Sequence, residues 1–136
     1  MSQGVSVETA RNVRALALRS WRHSLGEFIH RSGRTVAELQ QHDSPYRAYS
    51  SQIAFLDRMS DQEFACWLTT LRQNFENLKR DRRLSSEQKV AALEGIYRDL
   101  LGYCPILGLL DWGKPLAEMI ARVYSERSEQ HSYFSF

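Results

Sequence analysis

SDQEFACWLTTLRQNFENL, residues 60–78, is the stretch that decides the fold class. Phe64, Trp67, Leu68, Leu71, Phe75 and Leu78 recur at i, i+3, i+4, i+7, i+11 and i+14, the spacing that places them on one face of an α-helix. Ser60 and Glu63 stand at capping-box spacing just before that stripe. There the serine hydroxyl and the glutamate carboxylate can each take up a backbone N–H that a helix start leaves open. A helix beginning at Ser60, with its apolar face in a core, is therefore expected.

Working outward, the same signals return on both sides. Upstream, Pro45 suits a first helical turn with Ser44 as its cap, and Tyr46, Tyr49, Ile53 and Leu56 share one face. Phe55 and Met59 point to the other side of that helix. Thr35 and Glu38 repeat the capping-box spacing and predict a short helix to about Gln41. From about Val7 to Arg31, Ala10, Ala17, Trp21 and Phe28 fall in a narrow arc flanked by Leu18, Leu25 and Ile29, and Gly33 supplies a stop. Downstream, Ser86 can cap a helix on which Val90, Leu93, Tyr97, Leu100 and Leu101 share a face. Asp111 to Pro115 precedes a last helix with Leu116, Met119, Ile120 and Val123 inward. No stretch alternates polar and apolar residues as a strand would. The expected fold is all-α: a single-domain bundle of about five to six amphipathic helices over residues 1–136, ending in a short aromatic tail at 131–136.

Composition narrows the function classes. The 136 residues are 43% hydrophobic and 25% charged, enough apolar material for a core that buries about two-thirds of the unfolded surface. Two cysteines exclude a disulfide-rich scaffold and a four-thiolate zinc site. No apolar run reaches the length of a bilayer span, and the opening MSQGVSVETARNVRA lacks the basic-then-apolar order of a secretory signal, so a cytoplasmic protein is expected. Net charge is only +2. Fifteen Arg against three Lys fit GC-rich bacterial coding and also fit recognition of carboxylates or phosphates.

Catalytic motifs are scarce. There is no Gly-rich phosphate loop, no Gly-x-Ser-x-Gly elbow and no His-Glu-x-x-His, and neither Cys66 nor Cys104 neighbours a histidine in sequence. The reading therefore leans towards a non-enzymatic protein without a cofactor. Three constellations remain. His23, Glu27 and His30 share a helical face and include a Glu-x-x-His pair, ligand types for a metal. That face lies opposite the apolar stripe, towards solvent, and no second such pair exists to complete a di-iron set. Lys79, Arg80, Arg82 and Arg83, joined by Arg72, form the one dense basic run. It reads either as phosphate contacts for a nucleic acid or as cations that suit a helix C-terminus. Arg14, inside the apolar sector of the first helix, could reach solvent, pair with a carboxylate or sit at a subunit boundary.

The third constellation is surplus apolar surface. Phe55 and Met59 lie off the main face of their helix. Ile106, Leu109 and Trp112 crowd a connector that could plug the core or face a partner, and Tyr133, Phe134 and Phe136 end the chain. A protein partner, a second copy of this chain included, is the leading expectation for these residues. The basic run 72–83 supplies a nucleic-acid alternative, and the His23/Glu27/His30 face a weaker metal or redox one.

Overall fold

The computed structural model describes residues 4–41, 45–98 and 100–134, with side chains as far as Glu129. Among these residues seven α-helices follow one another: α1 (Val7–Ser32), α2 (Val36–Gln40), α3 (Pro45–Asp57), α4 (Asp61–Arg80), α5 (Ser86–Glu94), α6 (Cys104–Leu107) and α7 (Gly113–Phe134). A 3-10 turn at Leu100–Tyr103 leads into α6, and no strand occurs among the described residues. The all-α expectation holds. Among these residues no helix is long and apolar enough to cross a membrane.

Local chemistry explains most boundaries. Ser6 Oγ accepts from the Thr9 N–H to start α1, and Gly33 stops it in the left-handed region at φ 64°, where a Cβ would be strained. Both capping boxes form: Thr35 with Glu38 at α2, and Ser60 with Glu63 at α4. The Ser60 backbone N–H and hydroxyl hold the Glu63 carboxyl below its ordinary value. The expected Ser44 cap lies outside the described residues.

Two expectations need correction. Helix α5 is capped by Ser85, not Ser86, because Gln88 three residues on returns a bond to the Ser85 N–H at 2.8 Å. Ser86 has Lys89 at that place, which has no acceptor to return. The same helix ends at Glu94, short of the expected Leu101. Gly95, a poor helix former by about 1 kcal/mol, closes it with an N–H bond to the Ala91 carbonyl.

The described residues fall into two compact units, with the division inside α4 between Leu68 and Thr69. In the first, α1 and α2 pack on α3. Its buried residues include Ala10, Val13, Ala17, Leu18, Trp21, Leu39, Leu56, Phe64 and Leu68. Phe64 stacks on Trp67 with ring centroids 5.9 Å apart.

Arg14 settles how the first unit turns from α3 into α4. Its Nη1 donates to the Leu56 and Met59 carbonyls at 3.3 and 3.1 Å, and its Nη2 to Asp61 Oδ1 at 2.8 Å. One guanidinium thus bonds the Met59 carbonyl, adds a second donor to the Leu56 carbonyl that already accepts the Met59 N–H, and neutralises the first residue of α4. Of the three readings left by sequence, the carboxylate pair is the one that forms. Arg11 reaches the other oxygen of Asp61 at 2.9 Å. Hydrogen bonds from Arg11 first, and from Arg14, lower the Asp61 pKa against a partial burial that would raise it.

In the second unit, α5, the 3-10 turn and α6 all pack on α7. Leu71, Phe75, Val90, Leu93, Leu100, Ile106, Leu107, Leu116, Ile120 and Val123 are buried there. The inward face expected for the last helix, Leu116, Ile120 and Val123 with half-buried Met119, is the one observed.

Candidate interaction surface

The segment between α5 and α7, residues 95–112, is where apolar side chains reach the surface. Glu94 fixes its beginning. Arg127 on α7 lies 2.9 Å from Glu94 Oε1, and Tyr124 donates its hydroxyl to the Glu94 carboxylate. The same arginine binds Glu87 at 2.6 Å, so one α7 side chain clamps two α5 carboxylates. The Arg127 bond, helped by Tyr124, keeps Glu94 below the ordinary carboxylate range. Burial, then the Glu94 carboxylate, pushes the Tyr124 phenol up to about 12.

Beyond Glu94 the chain advances in short turns that bury one apolar residue and expose the next. Tyr97 is buried and its hydroxyl accepts from Asn74 Nδ2 at 3.0 Å, while Ile96 beside it is 62% exposed. Leu100 is fully buried and Leu101 is 43% exposed. Ile106, Leu107 and Leu110 are buried, and Leu109 among them is 46% exposed. Half of the six large hydrophobic side chains exposed among the described residues therefore come from this one segment. Single exposed apolar residues are ordinary, but three within fourteen residues make this segment the candidate surface of the chain.

The second half of the segment carries its own backbone bonds. The N–H groups of Gly108, Leu109 and Leu110 bond back to the carbonyls of Cys104, Ile106 and Leu107 at 2.9–3.0 Å. Gly113 opens α7 so close to α6 that a Cβ there would meet the Leu107 oxygen at 2.5 Å, so only glycine fits. Trp112 is half-buried with the Arg72 guanidinium 5.9 Å from its ring centroid, a cation–π contact.

The expected partner-binding residues divide accordingly. Leu109 is exposed and Trp112 half-exposed, as a contact surface requires. Ile106 is a correction: with none of its surface accessible it is part of the core, since α6 turns it inward under α7. Phe55 is half-buried and meets Trp67 edge-on, 5.4 Å between centroids, so it packs within its own unit. Met59 is half-buried just after α3. The backbone of Tyr133 and Phe134 continues α7, their side chains are not described, and Phe136 lies outside the described residues.

Ile96 and Leu101 were not singled out as surface residues from sequence. Leu101 sat on the expected inward face of a longer fifth helix. Its exposure follows from the early stop at Gly95, the one local signal that could have revealed it.

The other two constellations are dispersed or paired. His23 Nε2 lies 3.3 Å from Glu27 Oε1, and Glu27 also faces Arg31, all on the exposed side of α1. No group of three His, Cys, Asp or Glu side chains that could hold a metal occurs among the described residues. In the basic run, Arg72 pairs with Glu76 at 3.1 Å, Lys79 lies 5.7 Å over the Phe75 ring, and Arg83 pairs with Asp81 at 3.3 Å. Arg80 and Arg82 are exposed. Cys66 and Cys104 are free thiols. Cys104 points at the Ala117 carbonyl, 3.8 Å away, and burial raises its pKa, which makes it a poor nucleophile.

No family model, no curated protein and no solved structure matches the chain.

Proposed function

We propose that this chain is a small, cytoplasmic, non-enzymatic helical protein, working as one functional domain, that acts by contact with another protein as an adaptor, chaperone-like or regulatory factor. The observation that supports this is the exposure of three large apolar side chains, Ile96, Leu101 and Leu109, within the one segment between α5 and α7 that also carries half-exposed Trp112. A rigid apolar surface loses little conformational entropy when covered, and aromatic residues such as Trp112 are favoured anchors. A second copy of the chain is the simplest occupant, and a homodimer the simplest assembly.

A photo-crosslinking residue at position 109 in cells producing the full chain tests the reading. Discrete adducts that disappear with Ile96→Ser support it, and light scattering of the purified chain then distinguishes a second copy from a different protein. Absence of any adduct overturns it.

The nucleic-acid reading has its own supporting observation: Lys79, Arg80, Arg82 and Arg83 are exposed around the end of α4, with Asp81 the one carboxylate within the run. It requires affinity for an oligonucleotide that falls steeply with added salt and is unaffected at Ile96→Ser.

A further inference from the structure

A second surface, of different chemistry, lies on α1. Arg11, Arg14, Arg19 and Arg22 line a depression of about 490 Å³ together with exposed Ala15 and the edge of largely buried Leu18. We propose that this depression docks an acidic amphipathic helix of a partner protein, carboxylates on the arginines and a narrow apolar stripe between them.

Charge supports the occupant. Three of the four guanidinium groups pair with the carboxylates of Asp57 and Asp61, and Glu8 lies one turn before Arg11, so the four cations exceed these three carboxylates by one. The existing pairs also leave donors over. Arg11 gives only Nε to Asp61, and Arg22 gives only Nη2 to Asp57. Each guanidinium has five N–H donors, and both side chains are more than half exposed. Arg19 is exposed and has no ion pair among the described residues. Arg11 and Arg22 are thus held in place by aspartates while still presenting hydrogen atoms outward, which lowers the ordering cost of binding a carboxylate.

Shape selects a helix over other anions. Residues 11, 15, 18 and 22 follow i, i+4, i+7, i+11 spacing and form a straight stripe about 16 Å long. That is three helical turns, the length over which an apposed helix would interdigitate. The lining comes from α1 alone, so a small anion would stay largely wet, whereas small-molecule sites enclose most of their ligand. A nucleic-acid backbone would use the arginines and leave Ala15 and the arginine methylenes uncovered. A second α1 would bring arginines against arginines. The proposal is separate from the apolar surface at 96–112 and survives or fails without it.

Fluorescence anisotropy on the full chain tests it with three labelled probes of equal charge. These are a helical peptide with glutamates flanking a leucine stripe, an oligoglutamate without leucine, and an oligothymidylate. The amphipathic peptide is expected to bind tightest. Arg19→Glu should weaken it about tenfold, because an attraction becomes a repulsion, and Arg19→Gln less. Arg19 holds no structural contact, so circular dichroism should stay unchanged in both variants. Equal binding of all three probes, preference for the oligothymidylate, no binding at all, or unchanged affinity in Arg19→Glu would each overturn the proposal.

Discussion

The turn from α3 into α4 and the longer passage from α5 into α7 solve one problem in opposite ways. Each must satisfy the backbone groups at two helix ends. At Asp57–Asp61 a distant arginine does so: Arg14 takes two carbonyls and the Asp61 carboxylate, and the turn needs only three residues between helices. At 95–112 backbone N–H groups take that part. The chain closes its own carbonyls with short helical turns and fills the space with Leu100, Ile106, Leu107 and Leu110. Packing by burial has a side effect that closure by charge does not. Short turns cannot point every apolar side chain inward, so Ile96, Leu101 and Leu109 are left outside. The polar turn is closed by a side chain of the same unit, whereas the apolar one leaves three large apolar side chains exposed.

The largest expected effect breaks the apolar passage directly. Gly113→Ala places a methyl 2.5 Å from the Leu107 carbonyl oxygen, and backbone cannot yield as a flexible side chain would. Destabilisation of about 3 kcal/mol is expected, read by urea unfolding, with faster amide exchange in α6 and the start of α7. Gly26, in mid-α1 with nothing within 4 Å of a added Cβ, is the control. Gly26→Ala should stabilise by somewhat under about 1 kcal/mol. Equal effects at the two glycines would mean that close helix approach does not hold the passage together.

Next in size is Arg14→Ala, which removes the closure of the polar turn at a cost of about 2 kcal/mol. Arg14→Lys keeps the charge but cannot reach carbonyl and carboxylate together, and should recover only part. The penalty should also depend on pH. The Asp61 pKa is lowered from its ordinary 3.8. Its contribution is therefore present above that value and lost as pH falls through the lower folded-state value. The difference between wild type and Arg14→Ala should narrow in acid, leaving the part due to the two carbonyls. A difference independent of pH would mean that Asp61 contributes nothing.

Tyr124→Phe probes the other unit at its opposite pH limit. Loss of the hydrogen bond to Glu94 should cost about 1 kcal/mol at neutral pH. The Tyr124 pKa is raised from 10.0 to about 12, so the neutral phenol is favoured in the folded state. Its contribution is complete below pH 10 and is lost as pH rises towards 12. The variant should flatten the alkaline limb of the stability profile, and it should weaken the acid limb slightly, because the hydroxyl also helps hold the Glu94 carboxyl low. Phenolate absorbance during titration gives an independent check.

The contrast between the two turns also marks where sequence stops being informative. Thr35–Glu38 and Ser60–Glu63 were legible because a capping box is a bond between residues three apart. The α4 stripe and the inward face of α7 were legible because helical period alone sorts their residues. Arg14 was visible as an anomaly, an arginine in an apolar sector, but its partners lie 42 to 47 residues away and no local pattern names them. At 95–112 period misled. Leu101 fitted the face of a helix that Gly95 had already ended. Ile106 and Leu109 look equivalent in the connector, but α6 turns Ile106 inward and the turn that follows it leaves Leu109 outside.

The smallest stability effect carries the sharpest functional test. Leu109→Ser replaces a side chain that is nearly half exposed and should change stability by no more than about 0.5 kcal/mol. Ile106→Ala, three residues earlier, deletes fully buried methyl groups and should cost about 3 kcal/mol. If the passage is only packing, the two differ in stability and neither alters association once folded. If it is a contact surface, the order inverts in a binding measurement. Leu109→Ser then abolishes the crosslinked or self-associated species at full thermal stability, while Ile106→Ala, assayed well below its melting temperature, retains it. That inversion separates a side chain turned outward to be covered from one that merely failed to fit inside, because only the first loses a partner when it is made polar.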